Sequence, residues 1–196
     1  MSQGEFIELW SSPFLIAPLP DCEQPNQRLS ELALSHSCEG VFGIDDPAVD
    51  WLRIQLSHGI SQYLSVANII SEVNWHIRAR FEILARGDYR PLSNSPGRYL
   101  GGLYIIRAPE QLKEAMARDD LKPGTISFYD PRVGMNMNAI RDDPYIICEQ
   151  TLNPEPGLLI LWPGFVKHFV HPIHTREPAI RVSFDVELKA PGKSTR

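Results

Sequence analysis

The densest chemistry in the chain lies in Lys167-His168-Phe169-Val170-His171-Pro172-Ile173-His174, where three imidazoles fall within seven residues. Imidazole is a common metal ligand and an acid–base group near neutral pH. On a strand, however, residues 168 and 171 point to opposite faces, so they cannot hold one ion without a bulge. His168 therefore needs partners from elsewhere in the chain, or the cluster is simply a set of surface and turn histidines.

Arg181 is the second candidate. It shares one face of the segment 179–188 with Ser183 and Asp185, while Ile180, Val182, Phe184 and Val186 share the other. The short loop before this segment predicts an antiparallel hairpin with 166–171, in a register that sets Arg181 opposite His168. A guanidinium inside a barrel mouth needs an anionic partner, because an unpaired buried charge is costly. A ligand carboxylate, Asp185 or Glu82 could each serve, unless Arg181 is simply exposed to solvent.

The elements that would position these groups follow from periodicity. Residues 6–20 carry Pro13, Pro18 and Pro20 and predict a short edge strand and a turn. Leu29, Leu32 and Ala33 predict an amphipathic helix over 26–38. Asp46-Pro47 is an N-cap followed by proline at the first helical position, and the helix it opens is expected to reach about residue 64. Trp51, Ile54, Tyr63 and Leu64 are expected on its buried side. From 69 onward the period becomes two. Over 73–86, Val73, Trp75, Ile77, Ala79, Phe81 and Ile83 form an apolar face, opposed by Asn74, His76, Arg78, Arg80 and Glu82. Further strands are expected at 99–107, 125–129, 145–151, 157–162, 166–171 and 179–188, with a helix at 110–119. Helices followed by many short strands predict an α+β, mainly β domain built on a sandwich or small barrel.

Composition narrows the function classes. The 196 residues predict a single domain, 1–196, and 43% hydrophobic with 22% charged residues is an ordinary globular balance. The 17 prolines favour short elements joined by stiff turns over a helical bundle. A net charge of −5 without a basic stretch argues against nucleic acid as the main partner. No apolar run approaches a membrane span, and the N-terminus lacks the pattern of a signal peptide. Cys22, Cys38 and Cys148 are odd in number and unpatterned, as expected in a reducing, cytoplasmic setting. A homodimer is compatible with all of this.

Several motifs, in order, resemble a bacterial family of 2-oxoglutarate/Fe(II)-dependent oxygenases. Gly157-Leu158-Leu159-Ile160-Leu161-Trp162-Pro163, then His168, then Arg181-Val182-Ser183-Phe184 is similar to the family's closing pattern. Arg86-Gly87-Asp88-Tyr89, Gly101-Gly102-Leu103-Tyr104, Tyr129-Asp130-Pro131-Arg132 and Leu9-Trp10-Ser11-Ser12-Pro13 resemble motifs upstream. The resemblance implies a double-stranded β-helix (jelly-roll or cupin-like) with N-terminal helices packed outside. It also implies Fe(II) and 2-oxoglutarate as cofactors and a small polar substrate. By position, His168 corresponds to the distal iron ligand, Arg181 to the partner of the far 2-oxoglutarate carboxylate, Ser183 to its helper, and Tyr104 to a cosubstrate-contacting tyrosine.

One motif departs from the pattern. Where the family has H-x-H-P, this chain has Ser93-Asn94-Ser95-Pro96. A neutral hydroxyl is a poor Fe(II) ligand beside imidazole or carboxylate. His76, Asp88, Asp130, His171 and His174 are the available replacements, although Asp88 and Asp130 also suit turns. Two functions follow: an oxygenase-like protein with a non-standard or missing metal site, or a metal-less pseudoenzyme that binds a ligand or a partner.

Overall fold

The computed structural model describes residues 12–35, 40–69, 73–108, 124–132 and 148–189. Two helices precede most of the strands. Helix α1 spans Glu23–Ser35 and α2 spans Pro47–Val66. The Asp46 carboxylate accepts the Ala48 N–H at 3.0 Å and the Arg28 Nε at 2.9 Å, so the cap of α2 is also tied to α1. Leu29 and Leu32 of α1 meet Leu52, Leu56 and Ile60 of α2 in a shared core. Ile54, expected inside, is instead 53% exposed; the inward stripe of α2 runs through 52, 56 and 60.

The strands are β1 (Leu15–Pro18), β2 (Asn74–Leu84), β3 (Arg90–Ser93), β4 (Leu100–Arg107) and β5 (Ile126–Tyr129), followed by β6 (Glu149–Leu152), β7 (Leu158–Pro163), β8 (Lys167–Val170) and β9 (Ala179–Lys189). They form a five-stranded sheet ordered β1-β7-β4-β9-β2 and a four-stranded sheet ordered β3-β8-β5-β6, all antiparallel. Both helices cover the outer face of the larger sheet, against Phe81, Tyr104, Val182 and Phe184. A second core, with Leu103, Ile105, Ile126, Phe128 and Ile160, fills the space between the sheets. This is the expected double-stranded β-helix with helices outside. Among the described residues no helix is long and apolar enough to cross a membrane.

Three expectations need correction or lie elsewhere. The hairpin between 166–171 and 179–188 does not form: β8 pairs with β3 and β5, whereas β9 pairs with β2 and β4. The chain crosses from the smaller sheet to the larger one there. Strand β3 has no counterpart in the sequence reading. The helix expected at 110–119, Cys38, and residues 145–147 of the strand expected at 145–151 lie outside the described residues; the rest of that strand corresponds to β6.

Candidate functional site

Strand parity decides which side chains enter the space between the sheets. On β9 it turns Arg181, Ser183 and Asp185 inward, and on β2 their register partners Glu82, Arg80 and Arg78 share that face. On the smaller sheet, His168 of β8 stands directly across from Ser93 of β3. A cleft of about 320 Å³ opens there, lined by residues of both sheets, His168, Arg181 and Ser183 among them. The sequence therefore named three residues that do share a cleft, although His168 and Arg181 face each other across the sandwich instead of along a hairpin. Tyr104 is not among them. It lies on the helix side of β4, fully buried, and its hydroxyl donates to Asn26 Oδ1 at 2.6 Å. Parity explains this placement, since Leu103 and Ile105 face the inner core and Tyr104 the outer one.

The floor of the cleft is an ion pair. Arg181 is 4% exposed, and its Nε and Nη2 donate to Glu82 Oε2 at 2.8 and 2.6 Å. The other oxygen of Glu82 accepts from Arg80 at 3.3 Å and Arg90 at 3.4 Å. Burial alone would raise the Glu82 carboxyl, but Arg181, then Arg90 and Arg80, hold it below its ordinary value. It is therefore ionised at neutral pH. Of the partners open to Arg181, the structure selects Glu82.

The wall beside it is aromatic. Trp162 lies 5.0 Å from both the His168 and Phe128 rings. Its indole sits over Gly101, where a Cβ would come within 2.9 Å of Nε1, so only glycine fits without a shift. The Nε1 of Trp162 and the Nδ1 of His168 are both buried and have no hydrogen-bond partner among the described residues. Burial, aided by the Arg181 charge, pulls His168 down to about 4, while Glu82, the Ser93 backbone and Asp185 oppose that shift. His168 is thus a neutral imidazole at physiological pH.

At the rim, Ser95 donates its N–H to the Gly164 carbonyl at 2.9 Å and accepts from the Arg98 N–H at 3.1 Å, which fixes the 93–98 turn against the β7–β8 connection. Arg98 reaches Glu187 at 3.1 Å. Four guanidiniums (Arg80, Arg90, Arg98 and Arg181) and two carboxylates (Glu82 and Asp185) line the cleft, which favours anions.

The residues present do not fit the cofactors implied by the resemblance. Among the described residues no three His, Cys, Asp or Glu side chains lie close enough together to hold a metal ion. Ser93 and Ser95 line the cleft near His168 as hydroxyls. The replacement candidates are engaged or displaced. Asp88 accepts the Ala85 N–H at 2.9 Å, and Asp130 holds Arg132 through Oδ2 at 2.6 Å, the turn roles expected of both. His171 bonds Ser127 Oγ at 2.8 Å, on the opposite parity of β8 from His168, while His76 and His174 are exposed. The guanidinium that would take a 2-oxoglutarate carboxylate already holds the carboxylate of Glu82.

Arg80 and Glu82 were visible in the sequence as a polar strand face. Arg90 and Arg98 gave no signal, because β3 was not foreseen and a turn arginine looks solvated. Trp162 appeared in the sequence only as part of the 157–163 motif, with no role of its own.

No protein-family model and no curated protein matches the sequence. Solved structures do match. A prolyl-4-hydroxylase of Pseudomonas putida aligns over 90% of this chain and 89% of its own, at 12% identity and a TM-score of 0.59. HygX of Streptomyces hygroscopicus, solved with nickel and 2-oxoglutarate bound, covers 90% and 82% at 11% identity and 0.57. An oxidoreductase of the 2OG-Fe(II) oxygenase family from Burkholderia pseudomallei covers 89% and 84% at 9% identity and 0.56. Near-complete coverage with so little identity means a shared backbone course with different side chains: the chain has the double-stranded β-helix fold of the 2-oxoglutarate/Fe(II)-dependent oxygenases.

Proposed function

We propose that this protein is a metal-independent derivative of the oxygenase architecture that binds a small anionic or polar molecule in the cleft between its sheets. One observation carries the reading: Ser93, a hydroxyl, stands across from His168, and Glu82 already occupies the guanidinium of Arg181, the two places where the resemblance would put iron and 2-oxoglutarate. Arg90 and Arg80, at 38% and 57% side-chain exposure, would attract the ligand and neutralise it. The Ser93 and Ser183 hydroxyls would orient it, and neutral His168 would contribute a hydrogen bond without a charge. The fold likeness supports the other reading, an oxygenase with Fe(II) and 2-oxoglutarate. The donor set around His168 weighs against it.

The deciding experiment is anaerobic titration with Fe(II) and 2-oxoglutarate, followed by a succinate assay in oxygen. We expect no stoichiometric iron, no succinate, and salt-sensitive stabilisation by small anions that weakens in an Arg90→Ala variant. Tight iron binding lost in His168→Ala, together with succinate from the parent, overturns the proposal in favour of the oxygenase.

A further inference from the structure

Among the described residues, strand β2 ends the five-stranded sheet and pairs only with β9. Backbone polarity shows what its other side offers. The Val186 carbonyl accepts the Tyr99 N–H at 2.9 Å, on the β4 side of β9. Alternation then turns the backbone groups of Ser183 and Asp185 toward β2, where their register partners are Arg80 and Arg78. The intervening residues, Ile77 and Ala79, therefore direct N–H and C=O away from the sheet. A groove of about 630 Å³ runs along this strand, lined by Ile77, Arg78, Ala79 and Arg80, with Gly40 and Phe42 on one side and Arg98 and Asp185 on the other. Residues from both faces of β2 line it, so it takes in the open edge and continues onto the cleft side of the strand.

From these features we propose that the β2 edge docks an extended acidic segment of another protein by strand addition. Ile77 and Ala79 would supply the ladder hydrogen bonds, and alternate side chains of the incoming strand would meet Arg78 and Arg80. Arg78 is exposed and makes no ion pair among the described residues. Arg53, stacked over Phe42 at 5.2 Å and paired with Asp50 at 2.8 Å, flanks the far side. The same arginines disfavour a second copy of this chain, because antiparallel pairing of two β2 strands about this segment sets arginine beside arginine. The groove shares Arg80, Arg98 and Asp185 with the cleft, whereas Arg78, Ile77 and Ala79 line the groove alone, so variants at Arg78 and Ala79 separate this inference from the cleft's ligand.

The test is fluorescence anisotropy with a labelled short peptide of alternating glutamate and valine, against its lysine–valine counterpart and against a version N-methylated along one edge. We expect the acidic peptide to bind and to weaken at high salt, with the lysine peptide and the N-methylated peptide failing. Arg78→Glu should weaken binding about tenfold or more. Ala79→Pro removes an outward N–H that β9 does not use, so it should abolish binding while circular dichroism stays unchanged. Equal binding of the lysine peptide, or binding of the acidic peptide that withstands both N-methylation and Ala79→Pro, overturns the proposal. So does sedimentation showing a dimer that Arg78→Glu dissolves.

Discussion

At the scale of single residues, the Glu82–Arg181 pair and His168 make opposite demands. The pair is charged and buried, and removing one partner leaves the other uncompensated. Glu82→Ala should therefore cost about 3–5 kcal/mol in urea unfolding, and adding Arg181→Met to it should recover most of the loss. Acetate should raise the thermal midpoint of Glu82→Ala more than that of the parent, because a free carboxylate can take the vacated place; equal shifts would count against an anion-accepting Arg181. His168 demands neutrality. Its pKa falls from the ordinary 6.5 to about 4, so between those values the unfolded chain binds more protons than the folded one. The sign follows: the stabilisation is present above about pH 6.5 and is lost as the pH falls toward 4. It amounts to on the order of 3 kcal/mol over that window. Urea midpoints measured from pH 7.5 to 4 should drop more steeply for the parent than for His168→Asn; parallel curves would show that His168 is not buried as described.

At the scale of elements, periodicity fixes what each strand is but not which strand it meets. The alternation in 73–86 and the Asp46-Pro47 cap correspond to β2 and α2 almost residue for residue, because both are local signals. Strand β3 was not legible, since Arg90-Pro91-Leu92-Ser93 is four residues long, contains proline and pairs irregularly with β8. The supposed His168–Arg181 hairpin was a reasonable local inference that the global topology overrules. Strand β4 shows a further limit: seven of its eight residues are buried, so no polar alternation marks that Tyr104 faces the helices. Its glycines instead record close approach. A Cβ at Gly102 would overlap the rigid Phe184 ring, whereas one at Gly101 meets the edge of Trp162 at 2.9 Å. Gly102→Ala should thus destabilise by about 1–3 kcal/mol, and Gly101→Ala by less, as read from urea midpoints. The reverse order would mean that the Phe184 ring moves more freely than its burial suggests.

At the scale of the whole molecule, the two sheets are unequally supported. The larger sheet has strands of up to eleven residues, helices on one face and the inner core on the other. The smaller has strands of four residues each, and within the described residues its inner core is its main contact with the rest of the molecule. Local unfolding follows buried apolar area and the sharing of hydrogen bonds, so the smaller sheet should open first. Native-state hydrogen exchange should accordingly show the amides of β4, β7 and β9 exchanging only through global unfolding. Those of β3, β5, β6 and β8 should exchange through a lower-energy opening. The cleft lies between the two units, with Ser93 and His168 on one and Arg181 and Ser183 on the other. An anion bridging Arg90 of β3 and Arg80 of β2 would tie them together and slow exchange in β3 and β8 preferentially, leaving β4 and β9 almost unchanged. Uniform protection of all nine strands would instead show one cooperative body, and would remove the physical basis for the cleft opening between the sheets to admit its ligand.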